Sequence, residues 1–206
     1  RTRVGLCLHE GIDVPITILA LNGLKVPVVP LDPGLQGEQI RHLLETVDAD
    51  IVITEQTTAH LIGESPKKIK SIDLSELTET SEGEQESFPI AESSEEYEQF
   101  LITLSSGSTG NPKPIVLSEK NKLDRSDQAV HLYDVCSDDV ILCASPFFHT
   151  LGQRLTLMPL LIGATLVQLT RFTAENWLKA VEGNGVTFTI PVSSHLHELV
   201  EPLLTS

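Results

Sequence analysis

The densest chemistry in this chain lies between two apolar runs, in Ser105, Ser106, Gly107, Ser108, Thr109, Gly110, Asn111, Pro112 and Lys113. Phe100–Leu104 precedes the group and Ile115–Leu117 follows it, so the pattern reads strand, glycine- and hydroxyl-rich loop, strand. Glycines let backbone N–H groups approach an anion closely, Ser and Thr hydroxyls add donors, and Lys113 supplies a positive charge; together these suit a polyphosphate. The loop is not a Walker A motif, which needs Gly before the Lys, Ser or Thr after it and then a helix; here Pro112 and Pro114 flank Lys113. Nor is it a nucleophile elbow, which alternates Gly, Ser and Gly with single residues between them. Ser and Gly at this density also build flexible spacers. The ordered Pro112–Lys113 pair running straight into a strand argues against a spacer.

His149 is the second candidate. It follows Phe147 and Phe148 and precedes Leu151 and Gly152 at the start of an expected helix. Taken alone, a His beside aromatic residues reads as a partly buried structural residue. His195 and His197 with Glu198 could suggest metal ligands, but alternate residues on a helix point to different faces and no third ligand is suitably spaced. They are expected to be solvated helix residues, and no metal site is expected. Gly183–Asn184–Gly185 reads as a turn and not a dinucleotide fingerprint.

These residues need elements to hold them. Strands are expected at Val4–Leu8, Val26–Leu31, Asp50–Thr54, Ile69–Leu74, Phe100–Leu104, Ile115–Leu117, Val140–Ala144, Thr165–Leu169 and Val186–Ile190, from their apolar, β-branched composition. Between most of them lies a helical pattern. Ile40, Leu43, Leu44 and Val47 recur at helical spacing, as do Ala174, Trp177, Leu178 and Val181 before the Gly183 stop. Such alternation predicts an α/β fold with mostly parallel sheets covered by helices.

The chain of 206 residues carries 29 Asp and Glu against 14 Lys and Arg, a formal net charge of −15. That balance disfavours nucleic acid and anionic membrane surfaces as partners. No run offers the roughly 20 uninterrupted apolar residues of a bilayer span. Cys7, Cys136 and Cys143 are odd in number and form no CxxC pair, so neither a disulfide framework nor a zinc site is signalled and a reducing, cytoplasmic setting is expected. No Lys or Arg occurs from Ser71 to Pro112, and Glu and Ser dominate from Ser75 to Glu98. Residues 75–99 are therefore expected to be an acidic linker between a first α/β segment, 1–74, and a second, 100–206, that begins with the phosphate-loop hairpin. An N-terminal Arg already inside a strand pattern leads to the expectation of a piece from a longer protein.

The run LITLSSGSTGNPKPIVLSEKN resembles the phosphate-loop signature of the adenylate-forming superfamily, which includes acyl-CoA synthetases, peptide-synthetase adenylation domains and luciferases. Supporting stretches occur in the family's order: RVGLCLHEGIDVPITILALNGLKVPVVPLDP, SPFFHTLGQRLTLMPLLIGATLV and VTFTIPVSSHLHELV. The resemblance implies an α/β segment of the large N-terminal domain of such an enzyme. It implies a reaction in which a small-molecule carboxylic acid attacks the α-phosphate of ATP, with Mg2+, and a thiol of CoA or of a pantetheinyl carrier protein then takes the acyl group. Carried over, Ser105, Ser106, Gly107, Ser108, Thr109, Gly110 and Lys113 would cradle the β- and γ-phosphates, with Lys113 also catalytic. His149 would lie near the substrate carboxylate and α-phosphate. It tilts the reading toward an acyl- or aryl-CoA synthetase, with fatty and aryl acids among the candidate substrates, over a peptide-synthetase domain that activates amino acids. Pro114 stands where the family usually has Gly, which pushes Lys113 toward extended backbone. The family's later motifs are missing from the chain, so the piece alone is expected not to adenylate. A non-enzymatic nucleotide-binding module with an acidic docking segment is the alternative from another class.

Overall fold

The computed structural model describes residues 2–9, 11–63, 69–78, 99–105 and 113–204, with the side chains of Thr78, Ser105 and 201–204 excepted. They form two compact units: residues 1–9 with 16–120, and residues 10–15 with 121–206.

The first unit is built on a six-stranded sheet. In chain order its elements are β1 (Val4–Cys7), α1 (Asp13–Gly23, which runs in from the other unit's residues), β2 (Val28–Pro30), α2 (Gly37–Thr46), β3 (Ile51–Thr54), α3 (Ala59–Ile62), β4 (Lys70–Asp73), α4 (Leu74–Thr78), β5 (Gln99–Ser105) and β6 (Lys113–Ser118). The strand order is β4-β3-β1-β2-β5-β6, parallel throughout except for the antiparallel β5–β6 hairpin. Every residue of β1 is buried, the mark of a strand covered on both faces. One face packs Cys7, Val29, Leu31, Val52 and Ile102 against Ile40, Leu43 and Leu44 of α2. Gly5 lets α2 approach so closely that a side chain there would overlap Leu44. The expected strands all form; most are trimmed by a residue or two at an end, whereas the two beside the loop are longer than expected, Gln99–Ser105 for Phe100–Leu104 and Lys113–Ser118 for Ile115–Leu117. The acidic run joins β4 to β5, two strands of the same sheet, and the boundary between the compact units falls near residue 120. Residues 79–98 of that run lie outside the described residues, and its first residues belong to α4.

The second unit holds a three-stranded parallel sheet, order β8-β7-β9. Its elements are α5 (Glu119–Tyr133, entering from the first unit), β7 (Val140–Cys143), α6 (Thr150–Ile162), β8 (Thr165–Gln168), α7 (Ala174–Asn184), β9 (Phe188–Thr189) and α8 (Ser193–Leu204). Ile141 and Cys143 pack with Leu155 and Met158 of α6 and with Ala129 and Val135. The Thr173 hydroxyl caps α7 by accepting from the Asn176 N–H at 3.1 Å, and Gly185 ends it with φ at +62°. Among the described residues no helix is long and apolar enough to cross a membrane.

Candidate functional site

Local sequence explains why the loop residues sit where they do. The run from Gln99 to Ser105, with Phe100, Leu101 and Ile102 all buried, pairs with Lys113–Ser118, leaving Ser105 opposite Lys113 as the last pair of the ladder. β5 is parallel to β2, so its end at Ser105 lies on the edge of the sheet where the parallel strands terminate. In open α/β sheets that carboxyl edge is where ligands bind. Lys113 is exposed at the first position of β6, and its extended backbone is what Pro114 imposes. Pro114 is accommodated opposite Leu104 because β6 is an edge strand, where a proline is tolerated. Ser106, Gly107, Ser108, Thr109 and Gly110, with Asn111 and Pro112, lie outside the described residues, as does the Ser105 side chain.

The same edge carries a polar group that sequence patterns do not single out. His9, two residues past β1, bonds through Nδ1 to the Glu55 carboxylate that follows β3, and Thr57 Oγ1 donates to the same carboxylate at 2.8 Å. Burial works against the Glu55 charge, but the His9 and Thr57 hydrogen bonds hold its pKa below the usual carboxylate range.

In the second unit, the segment after β7 delivers His149. Phe147 is buried as an anchor, the His149 N–H donates to the Pro146 carbonyl at 3.0 Å, and the His149 carbonyl accepts from the Gln153 N–H at 3.0 Å. His149 is therefore the residue that begins α6, with extended φ and ψ of −98° and 149°. Its ring leans on Phe148, centroids 4.5 Å apart, and it is exposed, with no side-chain hydrogen bond among the described residues. That replaces the reading of a partly buried structural His: the backbone turn is what packs, and the imidazole is left presented. The N-terminus of a helix also favours a negatively charged ligand there.

His195 corrects the expectation of a solvated residue. It is buried, stacked on Phe172 with centroids 3.9 Å apart and planes 11° from parallel, and its Nδ1 has no partner among the described residues. Burial pushes its pKa down, against a smaller opposing pull from Glu198. The missed signal was Phe172, whose partner no spacing rule could name. Sequence patterns also miss a cluster of Lys122 and Arg125 on α5 with Gln153 and Arg154 on α6. A Gln and an Arg interrupting the apolar run of α6 were the available hint.

Known proteins agree with this architecture. The sequence model of a family described as AMP-binding enzyme matches residues 1–205. A 2-succinylbenzoate–CoA ligase of Bacillus cereus is 25% identical over 201 residues, 98% of this chain and 40% of that ligase. A linear gramicidin synthase polypeptide of Brevibacillus parabrevis is 27% identical over 169 residues, 81% of this chain and 2% of that protein. The N-terminal domain of FACL13 from Mycobacterium tuberculosis superposes with a TM-score of 0.88 at 19% identity, covering 100% of this chain and 53% of that one. O-succinylbenzoate CoA synthetase from Bacillus subtilis in complex with ATP and magnesium superposes with a TM-score of 0.77 at 19% identity, covering 97% of this chain and 52% of the other. The chain thus spans 40% of the length of the B. cereus ligase it matches. With its parallel sheets, its hairpin at the carboxyl edge and a family match running almost end to end, the chain belongs to the AMP-binding enzymes of the adenylate-forming superfamily.

Proposed function

We propose that the chain forms the phosphate- and acid-binding part of an AMP-forming acid–thiol ligase. The observation that carries this reading is the β5–β6 hairpin, which opens at Ser105 and Lys113 on the carboxyl edge of a parallel sheet in a chain of the AMP-binding family. In the first step a carboxylate oxygen attacks the α-phosphorus of ATP; the new O–P bond forms as the Pα–O bond to pyrophosphate breaks. A thiol of CoA then attacks the acyl carbon, gives up its proton and displaces AMP. The loop's share is positioning and neutralisation of charge as pyrophosphate leaves, for which Lys113 and the loop N–H groups are suited. His149, presented at the start of α6, is assigned to the carboxylate and α-phosphate end. Among the described residues no group of three His, Cys, Asp or Glu could hold a metal, and Mg2+ in this reading enters with ATP as part of the substrate.

A second acceptor is a carrier-protein pantetheine, favoured by the match to the gramicidin synthase. In the full-length protein, Lys113→Ala is expected to slow carboxylate-dependent ATP–pyrophosphate exchange on the order of 100-fold. Unchanged exchange kinetics would remove the loop assignment. Supplying CoA or a carrier domain as the only acceptor separates the two readings of the second step.

A further inference from the structure

In a chain of net charge −15, three cations converge on one cleft in the second unit. Lys122, Arg125 and Ser126 of α5 face Thr150, Gln153, Arg154 and Leu157 of α6 around its inner end, which has room for about one oxygen-sized atom. An outer hollow of about 220 Å³ shares Arg125 and Arg154 with it and is also lined by Gln128, Ala129 and Leu132. Neither Arg125 nor Arg154 has a carboxylate partner among the described residues; Arg154 donates to the Tyr133 hydroxyl at 3.2 Å. Asp127, on the same helix, is paired with His131.

The inner end is built, not incidental. Gln153 is 1% exposed and Lys122 5% exposed, and the ammonium of Lys122 donates to the Gln153 amide oxygen. That bond fixes the orientation of the amide, since an ammonium can only donate. The Gln153 Nε2 is therefore a donor, and it is buried with no acceptor among the described residues. A buried donor without a partner costs roughly 1–3 kcal/mol. Two guanidinium groups and a buried N–H at one cleft, none with an anionic partner, form a site that lacks one component: an acceptor of negative charge. Lys122 reports the same imbalance, its pKa pushed down to about 8 by burial and then by Arg125 and Arg154.

We propose that the cleft between α5 and α6 binds the carboxylate or phosphate group of a small organic anion, held by Arg125 and Arg154 with the Gln153 amide closing the inner end. Leu132 and Leu157 line the outer and inner parts and suit a carbon skeleton attached to the charged group. The anion reaches the cleft in one of two ways. Either it is a second acidic group on the acid being activated, since Thr150 of the cleft directly follows His149, or it is a free ligand that acts on the enzyme from outside the reaction. The first of these rests on the ligase reading; the second does not.

The test is calorimetric titration of the full-length protein with succinate and with inorganic phosphate at low salt, for the native protein, Arg125→Gln and Arg154→Gln, with circular dichroism to show that each variant is folded. Saturable binding of one anion is expected in the native protein, weakened by about tenfold or more in each variant. Pyrophosphate exchange then separates the sources. If the anion belongs to the substrate, a diacid is preferred over its half-amide in the native protein and the preference collapses in Arg125→Gln. If the anion is free, exchange with a monocarboxylic acid responds to added anion in the native protein and loses that response in the variant. No saturable binding to the native protein below about 10 mM, or equal affinity in both folded variants, overturns the proposal. Anion binding in a protein that exchanges pyrophosphate with no carboxylic acid leaves the cleft standing and removes the ligase reading instead.

Discussion

The Pro146 carbonyl oxygen occupies the place where a side chain on Gly152 would begin. This contact seats the first turn of α6 on the backbone that follows β7, and the same turn presents His149. Gly152→Ala must push helix and loop apart. A loss of about 2 kcal/mol or more is expected, because overpacking against backbone has no flexible side chain to yield. Gly183 in α7 is the control, with nothing near the position of its missing Cβ. There the ordinary helix preference for Ala applies, and Gly183→Ala is expected to stabilise by about 0.5–1 kcal/mol. Urea midpoints of the two variants should move in opposite directions; equal shifts would contradict the close contact.

Lys122 ties stability to alkaline pH. Its pKa is about 8 in the fold against an ordinary 10.5, so between those values the unfolded chain binds the extra proton. Stability contributed by this residue therefore rises with pH from about 8 to 10.5, and the full penalty, about 3 kcal/mol, is present at neutral pH. The difference between native and Lys122→Met stability curves should show that rise. A flat difference curve would mean the ammonium is not desolvated.

His195 works at the acid side. Its pKa in the fold lies below 6.5, chiefly through burial, so its contribution is fully present above pH 6.5 and is lost as pH falls toward the folded value. His195→Phe keeps a ring against Phe172 and removes both the titration and the unpartnered Nδ1. Chemical denaturation at about pH 7 and about pH 5, on either side of the ordinary His pKa, should show a smaller acid loss in the variant than in the native protein. An equal loss would place the sensitivity elsewhere.

The three cysteines should separate by reactivity. Cys7 is buried and its thiol pKa is pushed up to about 11, by burial first and by Glu55 and Asp32 after it, against a Thr58 hydrogen bond. Cys143 is also fully buried, its thiol donating to the Ser145 carbonyl at 3.3 Å, while Cys136 is exposed. Iodoacetamide followed by mass spectrometry should find Cys136 modified on the order of 100-fold faster than the other two until the protein is unfolded. Comparable labelling of Cys7 in the native state would contradict the packing of β1.

Val4–Cys7, Ile51–Thr54 and Val140–Cys143 announce themselves as strands because a buried parallel strand must be apolar on both faces. Helix α2 follows from Ile40, Leu43 and Leu44 at helical spacing, all three buried. The hairpin around the loop is equally readable from two apolar runs and the residues between them. His149 is found by its neighbours, but its exposure is not, because burial of Phe147 and the Gly152 contact, not composition, decide which way the turn faces.

Propensity, periodicity and residue type over a few neighbours are enough to set the kind of element each stretch becomes, the α/β alternation and the chemical character of the phosphate loop. They are not enough to bring β5 back to β2 across the acidic run, to bury His195 beneath Phe172 rather than solvate it, or to make Lys122 and Arg125 meet Gln153 and Arg154. Those outcomes belong to the folded chain, because they depend on which surfaces meet after it has turned back over tens of residues. Pairing at that range is chosen by the burial and packing of whole faces, which no local pattern encodes.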